Sequence, residues 1–109
     1  MFKSKVEVLS LGLFQLENLA AQRVPHLLIN IAKKQPAKSA MPAPFAQAVS
    51  LEESEVEGHL CQSAHDSLTP VILVCENGQR SLRLAERMTA KFPSLNILFV
   101  EGGIETYCP

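Results

Sequence analysis

Three short stretches of the chain are apolar almost without a break, and the segments between them carry apolar residues every third or fourth position. Leu27-Leu28-Ile29-Asn30-Ile31, Val71-Ile72-Leu73-Val74-Cys75 and Asn96-Ile97-Leu98-Phe99-Val100 have strand length and the continuous hydrophobicity of strands covered on both faces. Lys5-Val6-Glu7-Val8-Leu9 alternates and predicts a further short strand. Ser10 is placed to cap a helix running from about Leu11 to Gln22, in which Leu13, Leu16, Leu19 and Ala20 recur at helical spacing. Ser50-Leu51-Glu52-Glu53 matches a capping box, with Ser50 as the cap and Glu53 at the third helical position, and predicts a short helix toward Leu60. A third helix is expected from Arg80 or Ser81. Leu82, Ala85, Met88 and Phe92 line one of its faces, Arg83, Glu86 and Arg87 fall largely on the other, and Pro93-Ser94 stops it. Gly102-Gly103 turns the chain, and Ile104 to Tyr107 is long enough for one helical turn.

Apolar strands alternating with helices imply an α/β domain whose mainly parallel sheet, of four or five strands, has helices on both faces. The 109 residues suit one domain spanning 1–109, and 47% hydrophobic content is enough for a packed core. The least regular part is 33–47, where Pro36, Pro42 and Pro44 stand among lysines and alanines, as in a surface loop. A net charge of −1 without basic or acidic blocks argues against nucleic acid or an anionic membrane surface as the main partner. There is no apolar run of membrane-spanning length and no signal-peptide pattern, so a cytoplasmic location is expected. Three cysteines, Cys61, Cys75 and Cys108, do not suggest a disulfide framework.

The chemistry concentrates after the second apolar run, in Cys75-Glu76-Asn77-Gly78-Gln79-Arg80-Ser81. Ligands in parallel α/β sheets bind beyond the carboxyl ends of strands, where Cys75 stands. The loop behind it leads into a helix N-terminus, whose free amides and dipole favour an anion, so successive amides of 76–80 can form a nest around the sulfur. Such a field favours thiolate over thiol near neutral pH, and Glu76 opposes it. Gly78 allows the backbone angles of a tight loop. Arg80 can fold back and offer a fork of donors to an oxyanion or persulfide, and Ser81 can cap the helix or donate to a bound anion. Glu76, Asn77 and Gln79 are expected to contribute backbone amides rather than side chains. His59, Cys61 and His65 match no strong zinc spacing, so no metal or other cofactor is expected. Cys108 could resolve a persulfide at Cys75 as a disulfide, but nothing in the sequence brings the two together.

This segment resembles the active-site loop of single-domain rhodaneses, which reads Cys-x-x-Gly-x-Arg-Ser/Thr. The likeness extends over about 68–107: Leu82 to Phe92 is similar to the helix behind that loop, and Asn96 to Tyr107 to the family's last strand and its Gly-Gly-x-x-x-aromatic ending. The resemblance implies a small rhodanese-like domain. In it Cys75 takes sulfur from a donor such as thiosulfate or a persulfide and hands it to a thiophilic acceptor, small or a protein thiol. Residues 76–81 would hold the bound group, with Arg80 assisting anion binding. Ala48-Val49-Ser50-Leu51 is similar to the family's Ala-x-x-(Ile/Val)-Pro-like segment, but two departures stand out: Asn30-Ile31-Ala32 replaces the family's Asp-x-Arg, and its Gly-His-Ile-Pro-Gly-Ala stretch has no recognisable counterpart. A rhodanese-like binding or regulatory module without turnover is therefore the competing expectation. Cysteine phosphatases resembling this fold have one more residue between cysteine and arginine; the shorter loop here suits a single sulfur atom better than a phosphoryl group.

Overall fold

The computed structural model describes residues 8–32, 48–62 and 69–104. The elements in chain order are β1 (Leu9–Leu11), α1 (Leu13–Ala21), β2 (Leu27–Asn30), β3 (Val49–Ser50), α2 (Glu53–Gln62), β4 (Val71–Val74), α3 (Gln79–Lys91) and β5 (Ile97–Val100). The strands form one sheet in the order β1-β5-β4-β2-β3, with every pairing parallel. The three continuously apolar runs become β2, β4 and β5, the inner strands, as continuous hydrophobicity requires.

Alternation along β4 sorts the core into two layers. Val71, Leu73 and Cys75 face the layer holding Val56 and Leu60 of α2 and Leu84, Ala85 and Met88 of α3. Ile72 and Val74 face the opposite layer, with Leu16 of α1, Leu28 and Val100. All five residues from Val71 to Cys75 are fully buried. The phase of β4 thus points Cys75 toward α2 and α3.

Three local expectations need correction. The first strand covers Leu9–Leu11, so Ser10 lies inside β1, beside Phe99, and Gly12 is the N-cap of α1; residues 5–7 lie outside the described residues. Ser50 does not cap α2. It pairs with Asn30 in β3, and the reach-back carboxylate is that of Glu55, whose Oε1 accepts from the Glu52 amide at 2.9 Å. In α3 the buried stripe is Ser81, Leu84, Ala85 and Met88, with Phe92 packed beside it, while Leu82 is only half-buried. The expected loop at 33–47 lies outside the described residues, as does the expected helical turn beyond Ile104.

Candidate active site at Cys75

Four consecutive apolar residues drive β4 to the middle of the sheet and end it at Val74, so Cys75 is the first residue past the strand. Its sulfur is completely buried. Gly78, at φ 90°, turns the loop into α3 and has no side chain with which to cap it. The thiol takes that place. Sγ accepts from the Ser81 amide in the first turn of α3 at 3.3 Å and from the Gly78 amide at 3.2 Å. The thiol in turn donates to Ser81 Oγ at 3.4 Å, and that hydroxyl donates to the Gly78 carbonyl at 3.1 Å. Two amides and a hydroxyl therefore converge on one sulfur atom.

The nest is narrower than the expected run of amides from 76 to 80. The Gln79 amide is taken by Asn77 Oδ1 at 3.0 Å, so the Asn77 side chain shapes the loop, contrary to the backbone-only role expected of it. Glu76 also acts through its side chain: Oε1 accepts from Arg80 at 3.2 Å. Arg80 is the larger surprise. Instead of folding over the sulfur, its guanidinium lies between two carboxylates, Glu76 and Glu53. Glu53 Oε1 accepts from Arg80 Nε at 3.1 Å and lies 3.0 Å from a second guanidinium nitrogen. Glu53 Oε2 takes Arg87 at 2.8 Å.

The loop leans on the turn after β5. The Ile104 amide donates to the Cys75 carbonyl at 2.8 Å. A Cβ built on Gly103, whose φ is 69°, would stand 2.5 Å from the carbonyl oxygens of both Cys75 and Glu76. A Cβ on Gly78 would meet the Gly102 nitrogen at 3.1 Å. The Gly-Gly pair is thus the back wall of the cysteine loop as well as a turn.

A cleft of about 630 Å³ opens beside this loop, floored by Ile31, Ala32 and Leu51 and edged by Glu52, Glu53 and Arg80. It sits at the carboxyl end of the sheet, because the Ile31 amide donates to the Val74 carbonyl at 2.8 Å, next to Cys75. Asn30 is buried, and its Oδ1 accepts from the Ala32 amide at 2.9 Å, fixing the turn out of β2.

Of Cys75, Gly78, Arg80 and Ser81, which the sequence pattern singles out, the fold brings the Gly78 and Ser81 amides onto the sulfur and turns the Arg80 guanidinium to Glu53 and Glu76. The sequence pattern marks Glu53 only as a helix-capping residue; its partner Arg80 is 27 positions away, and no local pattern links them. Cys61 is exposed on α2, while His65 and Cys108 lie outside the described residues. Among the described residues no group of three His, Cys, Asp or Glu is disposed to hold a metal ion, and no helix is long and apolar enough to cross a membrane.

No protein-family model matches the sequence, and no curated protein matches it. Solved structures do match. A rhodanese-like domain protein from Staphylococcus aureus superposes with a TM-score of 0.69 at 18% identity, over 92% of this chain and 91% of that one. A Rhodopseudomonas palustris protein of unknown function, described as a possible tyrosine phosphatase, gives 0.69 at 15% identity over 92% and 79%. Reduced CoADR-RHD from Bacillus anthracis gives 0.65 at 15% identity, and there the match covers 92% of this chain but 16% of the larger protein. With its five-stranded, all-parallel sheet and its cysteine loop between β4 and α3, the chain has the rhodanese-like fold.

Proposed function

We propose that the protein is a sulfurtransferase that carries sulfur as a persulfide on Cys75. The observation that carries this reading is the convergence of the Gly78 and Ser81 amides on Sγ, with the Ser81 hydroxyl in reach. In the first half-reaction the Cys75 thiol gives its proton to solvent and the sulfur attacks the sulfane sulfur of the donor. An S–S bond to Cys75 forms and the donor's bond to that sulfur breaks, releasing sulfite from thiosulfate or a thiolate from a persulfide. In the second, an acceptor thiolate or cyanide attacks the outer sulfur and Cys75 leaves as thiolate. The two amides stabilise the anionic sulfur at both stages, and Ser81 adds a third donor once its hydroxyl rotates from the Gly78 carbonyl to the sulfur. The partners in this reading are a small donor and a thiol acceptor, small or protein-borne, in the cytoplasm.

A second reading, a rhodanese-like binding module without turnover, is favoured by the burial of Sγ and by the engagement of Arg80 with Glu53 and Glu76. Phosphatase chemistry, suggested by the description of the Rhodopseudomonas palustris neighbour, is disfavoured. Only four residues separate Cys75 from Arg80, and the loop amides close on a single atom.

Intact-protein mass spectrometry after incubation with thiosulfate or a persulfide, then cyanide, decides between them. A gain of one sulfur on the wild type, removed by cyanide and absent from Cys75→Ser, supports transfer. No gain with either donor, from a folded protein, leaves the binding module. A gain that persists in Cys75→Ser moves the site elsewhere.

A further inference from the structure

We infer that Glu53 is a positioning and specificity residue of this site: by holding Arg80 away from the sulfur, it makes the mouth of the Cys75 loop reject dianionic sulfur donors and accept neutral or cationic ones. The inference rests on the proposed function for the word donor, and on geometry for everything else. Arg80 follows the loop directly, in the first turn of α3, and two carboxylates already share it. Glu53 meets it through both Nε and a terminal nitrogen, while Glu76 takes the other terminal nitrogen. Three of its five N–H groups are directed at carboxylates, and its positive charge is shared between two of them, so it draws an incoming oxyanion less strongly than a free guanidinium would. Glu52 and Glu55 edge the same cleft. Among the described residues the mouth therefore has the carboxylates of Glu52, Glu53, Glu55 and Glu76 against Arg80 and Arg87. Lys33 and Lys34, next in sequence after Ala32, lie outside the described residues.

Glu53 is the pivot because one carboxylate serves two cations. Oε1 orients Arg80 and Oε2 takes Arg87, which fixes α2 against α3 beside the loop. Glu57, one turn further along α2, meets Lys91, at the end of α3 away from the loop. It makes a control of equal charge.

The test measures charge selectivity at Cys75 without requiring sulfur transfer. In a Cys61→Ser/Cys108→Ser background, Cys75 is reacted with a cationic and an anionic methanethiosulfonate and followed by mass spectrometry. In each reaction Sγ attacks the sulfenyl sulfur, a disulfide forms, methanesulfinate leaves, and the thiol proton goes to solvent. Rates are normalised to free cysteine. The expected wild-type result is faster reaction with the cation. Glu53→Gln should lower the cation-to-anion ratio by roughly three- to tenfold, the effect of one unit charge within about 8 Å in a partly hydrated cleft. Glu57→Gln should move it by less than about twofold. A folded Glu53→Gln with an unchanged ratio overturns the inference. So does a wild type that prefers the anion, or a Cys75 that reacts with neither reagent. A purely structural role would slow or speed both reagents together. If the ratio behaves as expected while no donor yields a persulfide, the charge filter stands and the sulfurtransferase reading falls.

Discussion

Replacing Gly103 by alanine should damage the protein far more than the same change at Gly58, although each adds only one methyl group. At Gly103 the backbone φ is 69°, and the new Cβ would stand 2.5 Å from two carbonyl oxygens and 2.6 Å from the Glu76 carbonyl carbon. The left-handed conformation alone costs an alanine about 1 kcal/mol. An ordinary contact needs the carbonyls to retreat by roughly 0.8 Å, and because they belong to the cysteine loop rather than to a flexible side chain, that overpacking costs a further ~1–3 kcal/mol. The expected loss is therefore ~2–4 kcal/mol of a domain stability of ~5–15 kcal/mol. At Gly58, inside α2, a Cβ meets nothing within 4 Å, and alanine should stabilise by about 0.5–1 kcal/mol. Urea unfolding of both variants measures the difference, and the rate of Cys75 alkylation in the folded fraction reports whether the loop has moved. A Gly103→Ala protein within about 0.5 kcal/mol of wild type would refute the claim that the Gly-Gly turn is the loop's back wall.

Three further outcomes follow from the same geometry. Ser81→Ala should lose about 1–2 kcal/mol in urea unfolding, since it strips a buried hydroxyl from both the thiol and the Gly78 carbonyl; it should also slow persulfide formation, and an unchanged rate would remove the hydroxyl from the mechanism. Leu73→Ala, in the middle of the central strand and fully buried, should cost ~2–5 kcal/mol by the same measurement, and a value under 1 kcal/mol would contradict the packing described for β4. Lys91→Ala, which breaks a half-exposed pair with Glu57, should change stability by no more than ~0.5 kcal/mol, so a larger loss would mean that the α2–α3 seam depends on that pair.

What could be foreseen from the sequence is what short-range physics controls. β2, β4 and β5 announce themselves because strands buried on both faces must be apolar at every position, and the cysteine loop follows β4 directly. The edge strands carry no such signal. Leu9 is two-thirds exposed, and Val49 and Ser50 form a strand only because Ile29 and Asn30 lie beside them. Ser50-x-x-Glu53 is a sound local capping pattern, yet the sheet takes Ser50's backbone into a ladder and leaves Glu53 for a cation on another helix. The phase of α3 differs from its sequence pattern for a similar reason. The sulfur draws the Ser81 amide toward the loop, and from Ser81 the buried positions run through Leu84, Ala85 and Met88, leaving Leu82 to the side.

The pairing of β1 with β5 joins the first described strand to the last, and the wall behind Cys75 comes later still, at Gly103 and Ile104. A nascent chain that has just exposed Cys75 to its surroundings holds neither that wall nor β5. The thiol then has no finished pocket, and the sheet lacks the strand that connects its two ends. Contacts of such long range form late and slowly. The pocket around the sulfur is thereby tied to synthesis through β5 and the Gly102-Gly103 turn: fragments ending before β5 should leave the Cys75 loop without its wall, and a chain that includes Ile104 should hold it.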